Sequence, residues 1–252
     1  MKVIINNVEY EGLPGETLME LAKRNKVYIP NLCHKEGFEG QGRCRLCMVE
    51  AKEGNRTKIV SACVYPVQDG LEVITDSDRI RAMRKNIILL LLLKTPNNEY
   101  IKQLAEEYEI KAPAGYVDLS SNENCILCGL CVKACEKLGT SAISLVNRGT
   151  GKKVSTPFDD PSKDCIGCGA CAQVCPTNAI TMTEINGIRT IWNKEFKMVK
   201  CSMCKKEYTT EEALKFIETH LGDEEEKICD TCRKKIISER FKESYKNIYG
   251  LP

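Results

Sequence analysis

Cysteine is the residue type in this chain whose number and spacing most directly indicate a chemistry. The 252 residues include 16 cysteines, and every one falls in a group of four. The groups are Cys33, Cys44, Cys47 and Cys63; Cys125, Cys128, Cys131 and Cys135; Cys165, Cys168, Cys171 and Cys175; and Cys201, Cys204, Cys229 and Cys232. Thiolate sulfur is the ligand of both iron–sulfur clusters and structural zinc. The sequence therefore predicts metal-binding sites.

A secreted disulfide framework is the main alternative use of so many cysteines. That reading suits small domains of under about 100 residues, and closely spaced C-x2-C pairs are better chelators than disulfide partners. The chain starts MKVIINNVEY, without the apolar segment of a signal peptide. We expect a cytoplasmic protein whose thiols stay reduced and available to metal.

Bulk composition excludes two other classes. The formal charge of +2 gives no electrostatic reason to bind nucleic acid or anionic membrane. The apolar run at residues 87–93 is far shorter than the roughly 20 residues of a membrane-spanning helix. We therefore expect neither a nucleic-acid partner nor a membrane span.

Residues 1–77 predict a β-grasp domain, in which a helix packs across a small mixed sheet. Strands at residues 3–5 and 8–10 flank a hairpin turn at Asn6-Asn7. Thr17 and Glu20 form a capping box at the start of a helix, and residues 27–29 are predicted to return as a strand. The cysteines follow as C-x10-C-x2-C-x15-C, with glycines in the long first gap.

The phrases IPNLCHKE and GRCRLCMVE make this module resemble a known family. It is similar to the 2Fe–2S domain that opens the large iron–sulfur subunit of respiratory complex I, its hydrogenase relatives and soluble NAD-linked diaphorases. The resemblance implies a 2Fe–2S cluster on Cys33, Cys44, Cys47 and Cys63, with structural zinc as the alternative. Four cysteines suffice for the cluster, so His34 is expected to be a polar neighbour.

Residues 78–112 predict a helical connector. Ile80, Met83, Ile87 and Leu91 share one helical face, and the residues Ile101, Leu104, Ala105 and Tyr108 form a second apolar stripe beyond Thr95-Pro96. In the family that this chain resembles, the stretch continues into a loop with one His and three Cys that hold an additional 4Fe–4S cluster. Residues 94–124 contain neither residue type, which implies a shorter relay.

Residues 113–190 contain two copies of C-x2-C-x2-C-x3-C, in CILCGLCVKACE and CIGCGACAQVCPTNAI. This is the run of two-cluster bacterial ferredoxins, in which the fourth cysteine of one run ligates the other cluster. It predicts one 4Fe–4S cluster on Cys125, Cys128, Cys131 and Cys175, and a second on Cys165, Cys168, Cys171 and Cys135. The insert between the copies is predicted to form a hairpin at residues 146–154.

Residues 191–252 contain two C-x2-C knuckles, CSMC and CDTC, and a predicted helix follows the second. Such pairs most often bind tetrahedral zinc in a treble-clef or ribbon-like domain, here on Cys201, Cys204, Cys229 and Cys232. Rubredoxin-type iron and another 4Fe–4S cluster are the alternatives. The acidic residues 224–226 argue against DNA binding.

The predicted fold class is therefore α+β, with one 2Fe–2S cluster, two 4Fe–4S clusters and one Zn. No acid–base pair or nucleotide-binding fingerprint is evident, so no substrate-converting site is expected. The resemblance implies an electron-transfer subunit of an NAD(P)H-linked flavin oxidoreductase, such as a diaphorase or an electron-bifurcating hydrogenase, formate dehydrogenase or transhydrogenase. It implies a flavoprotein partner, a further redox subunit and ferredoxin. The alternatives are a succinate dehydrogenase-like iron–sulfur subunit and a zinc-dependent interaction protein.

Overall fold

The computed structural model describes residues 1–113, 115, 123–222 and 227–249. The chain divides into two compact units. The first comprises Met1–Ala134, Leu145–Val154 and Cys171–Ala179, and the second comprises Cys135–Ser144, Ser155–Ala170 and Ile180–Pro252. The residues predicted as the 4Fe–4S module thus contribute to both units. The acidic residues 224–226 lie outside the described residues.

The first unit is built around a five-stranded sheet formed by the described residues. Its elements are β1 (Lys2–Ile5), β2 (Val8–Glu11), helix α1 (Leu18–Arg24), β3 (Met48–Glu53), β4 (Arg56–Ser61) and β5 (Leu71–Ile74). The strand order is β2-β1-β5-β3-β4, in which β1 and β5 run parallel and the other neighbours antiparallel. Helix α1 buries Leu18 and Leu21 against Val3, Val49 and Leu71. This is the predicted β-grasp arrangement.

Local sequence signals account for the start of this unit. Asn6 and Asn7 both have positive φ, as the hairpin turn requires. Thr17 and Glu20 exchange backbone and side-chain hydrogen bonds, so the predicted capping box is confirmed. The predicted strand at residues 27–29 is wrong, because the Val27 N–H donates to the Ala22 carbonyl at 2.8 Å and closes the end of α1.

The connector forms helices α2 (Asp78–Lys94) and α3 (Glu99–Glu107). The predicted face of α2 packs inward in part, since Ile80 is buried and half-buried Ile87 and Leu91 pack against the connector core. Met83 is only half-buried, whereas Arg84 and Ile88, which the apolar pattern did not include, are buried. Helix α3 buries the predicted apolar residues Ile101, Leu104 and Ala105.

The next elements are short and lie beside the two cysteine runs. They are helix α4 (Leu130–Lys137), strands β6 (Ser144–Val146) and β7 (Lys153–Ser155), and helix α5 (Ala170–Gln173). Strands β6 and β7 form a two-stranded sheet with a single 3₁₀ turn at Gly149–Gly151 between them. The predicted hairpin in the insert is confirmed.

The second unit contains an antiparallel sheet and two helices. The elements are β8 (Met182–Ile185), β9 (Ile188–Ile191), β10 (Lys194–Lys200), β11 (Glu207–Thr210), α6 (Glu211–Leu221) and α7 (Asp230–Tyr249). The strand order is β11-β10-β9-β8, so the sheet includes residues on both sides of position 190. Within the part of the chain that the structure describes, no helix is long and apolar enough to cross a bilayer.

Candidate metal centres

The four cysteines of the first group converge at one edge of the five-stranded sheet. Cys47 Sγ lies 3.5 Å from Cys63 Sγ, and the Cys44 N–H donates to Cys33 Sγ at 3.4 Å. Cys33, Cys47 and Cys63 are at most 1% exposed. The sheet core therefore holds these thiols close together.

The long gap between Cys33 and Cys44 needs glycine at a close approach. A Cβ on Gly40 would lie 1.6 Å from the Cys63 carbonyl oxygen, so no other residue fits there. Gly42 has a φ of 58° and Arg45 a φ of 60°, which turns the backbone sharply beside Cys44. These conformations hold the loop against the sulfur atoms.

Close packing and burial shift the pKa values of these thiols. A hydrogen bond with Cys33 and burial raise the pKa of Cys44, whereas a hydrogen bond with Cys63 lowers the pKa of Cys47. The contact with Cys33 lowers the pKa of Cys63, but Cys47 and burial raise it to about 11 overall. Four thiolates packed this closely would repel one another, so a metal would be needed to balance their charge. The donor set fits an iron–sulfur cluster.

Arg84 supports this loop from helix α2, although the sequence analysis did not single it out. Its guanidinium donates to the carbonyls of Leu46 at 3.0 Å, Met48 at 2.9 Å and Thr75 at 2.7 Å, and it pairs with Asp76 at 3.2 Å. The side chain is 2% exposed. The carbonyls on either side of Cys47 are thus fixed by one buried cation. Because α2 also contains Arg79 and Arg81, no local signal in the sequence distinguishes Arg84 from its neighbours.

The first C-x2-C-x2-C-x3-C run places three of its thiols in the first unit, together with Cys175. Burial raises the pKa of Cys131 to about 12 and that of Cys128 to about 11. The Cys175 thiol is among the groups that raise the pKa values of Cys125 and Cys128. The structure therefore brings Cys175 close to the run that lies 40 or more residues earlier in the chain.

Asn98 joins the two chain segments that carry these thiols. Its side-chain Nδ2 donates to the Thr177 carbonyl at 2.8 Å and to the Asn124 Oδ1 at 3.2 Å. Its Oδ1 accepts the Ile101 N–H and caps helix α3. Because Asn124 precedes Cys125 and Thr177 follows Cys175 by two positions, Asn98 holds the two segments together. The available signal in the sequence was Asn98 itself, a common helix-capping residue type two positions after Pro96.

The two cysteine runs share one backbone pattern. Leu127 and Gly129 have φ values of 55° and 78°, and the equivalent residues Gly167 and Gly169 have 68° and 77°. The Leu127 N–H donates to Cys125 Sγ at 3.4 Å. Left-handed backbone is rare for leucine, so the repeated geometry reflects a common requirement to turn N–H groups toward sulfur.

The fourth cysteines of the two runs also have matching surroundings. Cys135 Sγ accepts the Ala142 N–H at 3.2 Å, and Cys175 Sγ accepts the Ala179 N–H at 3.3 Å. The Thr140 hydroxyl oxygen lies 3.1 Å from Cys135 Sγ, and the Thr177 hydroxyl oxygen lies 3.7 Å from Cys175 Sγ. Each sulfur therefore receives a backbone N–H donor, which stabilises a thiolate.

The second run places Cys165 and Cys168 in the second unit with Cys135, and Cys171 in the first unit. Burial raises the pKa of Cys165, although the Gly167 N–H and the charge of Lys194 oppose this. The Cys135 thiol is among the groups that raise it. The structure thus brings Cys135 near the start of the second run.

Thiols of the first two groups share one apolar cluster in the first unit. Cys33, Cys128 and Leu130 are buried there, and Cys44, Ile126 and Val174 pack against them. Gln41 and Arg43 lie against Gly129, where a Cβ would be 3.0 Å from either side chain. The 2Fe–2S loop and the first 4Fe–4S loop are therefore in direct contact.

His34 follows Cys33 but turns to another partner. Its Nδ1 lies 3.0 Å from the Lys23 Nζ, and burial followed by the Lys23 charge lowers the pKa of the imidazole. The contact with Lys23 is consistent with the expectation that His34 is a polar neighbour of the cysteine loop.

The four C-terminal cysteines form a compact group whose sulfur atoms all lie within 4.8 Å of one another. Cys201 and Cys204 occupy the turn between β10 and β11, while Cys229 immediately precedes α7 and Cys232 lies in its first turn. Backbone N–H groups of Cys204 and Cys229 lower the pKa of Cys201 to about 6, whereas burial raises that of Cys232 to about 12. The group can bind a tetrahedral metal ion.

Comparison with protein families agrees with these sites. Residues 1–78 match a model of the 2Fe-2S iron-sulfur cluster binding domain, and residues 120–182 match a model of the 4Fe-4S dicluster domain. A second 4Fe-4S dicluster model matches residues 164–207.

Several curated proteins are similar to this chain. The NADPH-Fe(3+) oxidoreductase subunit alpha of Geobacter sulfurreducens is 30% identical over 189 residues, which cover 65% of this chain and 22% of that protein. The NADP-reducing hydrogenase subunit HndD of Solidesulfovibrio fructosivorans is 30% identical over 200 residues, covering 68% of this chain and 34% of that protein. The chain thus spans about a fifth to a third of the length of these relatives.

A solved structure shows the same relationship. A chain in the crystal structure of an NAD+-reducing [NiFe]-hydrogenase in the H2-reduced state matches with a TM-score of 0.59 and 27% identity, over 71% of this chain and 85% of that chain. This chain therefore consists of a 2Fe–2S domain, 4Fe–4S dicluster domains and a C-terminal group of four cysteines, and it is a relative of the iron–sulfur subunits of NAD(P)H-linked oxidoreductase complexes.

Proposed function

We propose that this chain is an electron-relay subunit of an NAD(P)H-linked flavin oxidoreductase complex. The observation that carries the proposal is the contact of Cys33 and Cys128 in one buried cluster. When bound, iron–sulfur clusters supply one-electron redox chemistry. Cys33 and Cys128 would each help to hold one such group, and Leu130 and half-buried Ile126 cover the place where their loops meet. The helical connector packs beside this contact.

The proposed ligand sets follow the grouping of thiols. Cys33, Cys44, Cys47 and Cys63 would hold one 2Fe–2S cluster. The first 4Fe–4S cluster would use Cys125, Cys128, Cys131 and Cys175, and the second would use Cys165, Cys168, Cys171 and Cys135. The influence of Cys175 on the pKa values of Cys125 and Cys128, and the Asn98 bridge, support the crossed assignment.

We assign the C-terminal group of four cysteines to one zinc ion. Tetrahedral zinc with Zn–S distances of about 2.3 Å requires sulfur atoms about 3.8 Å apart. Cys204 Sγ and Cys229 Sγ are 3.7 Å apart, and all four sulfur atoms lie within 4.8 Å, which leaves no room for a cubane. Zinc would make this site structural, whereas rubredoxin-type iron would add a redox centre.

The proposed partners follow from the electron count. NAD(P)H transfers two electrons together as hydride, whereas each cluster accepts one. A flavoprotein must separate the pair, so we propose a flavin- and NAD(P)H-binding partner subunit, a further redox subunit and ferredoxin. Hydrogenase, formate dehydrogenase and transhydrogenase complexes, including bifurcating ones, are the proposed settings. We place the complex in the cytoplasm, where thiols stay reduced.

Reduction of the purified chain tests this function. Under anaerobic conditions dithionite should bleach the visible absorbance, while NADH and NADPH alone should leave it unchanged for hours. Addition of the flavoprotein from the same complex should make reduction by one of the two nucleotides rapid. Direct reduction of the flavin-free chain by NADH or NADPH would contradict the proposal.

A further inference from the structure

The sheet of the second unit folds back onto the loop of the second cysteine run. Three of its residues, on β9, β10 and β11, donate hydrogen bonds to three successive carbonyls of that loop. The pairs are Lys194 to Cys165 at 2.8 Å, Thr210 to Ile166 at 2.6 Å and Arg189 to Gly167 at 2.7 Å. The loop backbone is thereby fixed along its length by side chains that follow it in the sequence.

Lys194 is a cationic group held close to Cys165 in this arrangement. Its Nζ also donates to the Ser162 carbonyl at 3.0 Å and lies 4.9 Å from the centre of the Phe196 ring. These contacts fix the ammonium group between carbonyl oxygens and an aromatic face, where a cation is favoured.

Phe196 explains why strand β10 approaches the loop so closely. A Cβ on Gly167 would lie 2.6 Å from the Phe196 ring, and Phe196 itself is 1% exposed. Glycine lets the ring pack on the loop backbone, and Lys194, two residues earlier on the same strand face, then reaches the Cys165 carbonyl.

We propose that Lys194 is a positioning residue that raises the reduction potential of the 4Fe–4S cluster on the Cys165 run. The proposal rests on the presence of that cluster as described under the proposed function. Reduction adds one negative charge to the site, and a fixed cation stabilises the reduced form. Net charge and hydrogen bonding around the ligands are known determinants of cluster potential.

The test is a redox titration of the full chain followed by electron paramagnetic resonance. Lys194→Met should lower the reduced-to-oxidised ratio of this cluster at fixed potential by about tenfold, which corresponds to about 59 mV for one electron. Lys194→Arg, which keeps the charge, should stay within about threefold of the original ratio. The control is Lys197→Met on the same strand, whose ammonium pairs with Glu211 at 3.0 Å and should leave the ratio unchanged.

The outcomes separate this inference from the proposed function. An unchanged ratio in Lys194→Met, with a signal that still disappears in Cys165→Ser, would overturn the role of Lys194 alone. A Cys165→Ser protein that keeps every cluster signal would contradict the cluster assignment itself. If the Lys194→Met protein does not retain the cluster, the Lys194→Gln variant takes its place in the titration. A lowered reduced-to-oxidised ratio in Lys194→Gln supports the proposal, and an unchanged ratio overturns it.

Discussion

The first group of four cysteines, in the 2Fe–2S domain, and the C-terminal group of four cysteines, proposed to bind zinc, differ in what surrounds them. Cys47 and Cys63 lie in a continuous core of sheet and helix side chains, and Cys33 is buried in a second apolar cluster with Cys128 and Leu130. In the C-terminal site Cys204 is exposed, and the large apolar side chains of Ile237 and Phe241 on α7 are 60% and 71% exposed. In the first site the protein core holds the cysteine loop, whereas in the second the proposed metal would help to hold the protein together.

This difference follows from how much apolar surface each region buries. The five-stranded sheet has buried residues on β1, β3 and β5 that pack on α1. Helix α7 contributes Cys232 as its buried side chain among the described ones. A helix with so little packing gains most of its stability from a covalent crosslink or a bound metal. The four predictions below test this contrast, from the largest expected effect to the smallest.

The largest effect is expected from removal of the C-terminal metal. Cys229→Ser should release α7, because small modules with four cysteine ligands draw much of their folding free energy from metal binding. Hydrogen exchange should then show lost protection across residues 230–249, while the visible spectrum of the 2Fe–2S cluster persists. Cys63→Ser is the matched change in the other site and should leave α7 protected. Equal hydrogen-exchange protection of α7 in Cys229→Ser and Cys63→Ser would contradict the proposed difference between the two sites.

Gly40→Ala should destroy the 2Fe–2S loop. The added Cβ would overlap the Cys63 carbonyl, 1.6 Å away, so the loop must move off its ligands at a cost of several kcal/mol, on the order of the upper range for single mutations. Iron content and visible absorbance measure the loss.

Gly37→Ala is the control for that prediction. Gly37 has a φ of 81°, but a Cβ there would meet nothing within 4 Å. Gly37→Ala should therefore cost only about 1 kcal/mol of backbone strain and keep the cluster. Equal iron loss in the two variants would show that the close approach at Gly40 does not set the requirement.

Arg84→Met should destabilise the first unit by about 3 kcal/mol, because it leaves buried carbonyls without their donor. Thermal unfolding of the metal-loaded chain measures the change. Arg81→Met is the control, since Arg81 pairs with Asp76 at the surface and should cost under about 1 kcal/mol. A similar cost for both arginines would contradict the structural role given to Arg84.

The smallest effect is expected from pH acting on Glu16. The hydrogen bond from Arg24 holds the pKa of this carboxyl below its usual range, so its contribution is present at neutral pH and is lost as pH falls through that lowered pKa. Glu16→Gln should cost under about 1 kcal/mol at pH 7, and less at pH 3. Chemical denaturation at the two pH values measures both differences; a larger cost at pH 3 would reverse the assigned sign.

The sequence predicts the features whose causes are local. The capping box at Thr17, the Asn6-Asn7 turn and the helix after Cys232 each depend on a few neighbouring residues, and the structure confirms them. The cysteine groups are likewise recognisable, because ligand spacing is written directly in the chain.

The remaining features depend on contacts between distant residues. The sequence does not reveal that Arg84 turns inward to the carbonyls of Leu46 and Met48, which lie more than 35 residues away. Nor does it show that Lys194 reaches Cys165, because the β10 pattern alone does not specify what packs on the strand. The wrong strand prediction at residues 27–29 has a local cause instead, since the Val27 N–H donates to the Ala22 carbonyl at the end of α1.

Metal and sulfide analysis of the anaerobically purified chain tests the central claim most directly. The account predicts about ten iron atoms, about ten acid-labile sulfides and about one zinc per chain. About eleven iron atoms without zinc would contradict the zinc assignment and make the C-terminal site a redox centre. A colourless protein with zinc but no labile sulfide would contradict the electron-relay account as a whole.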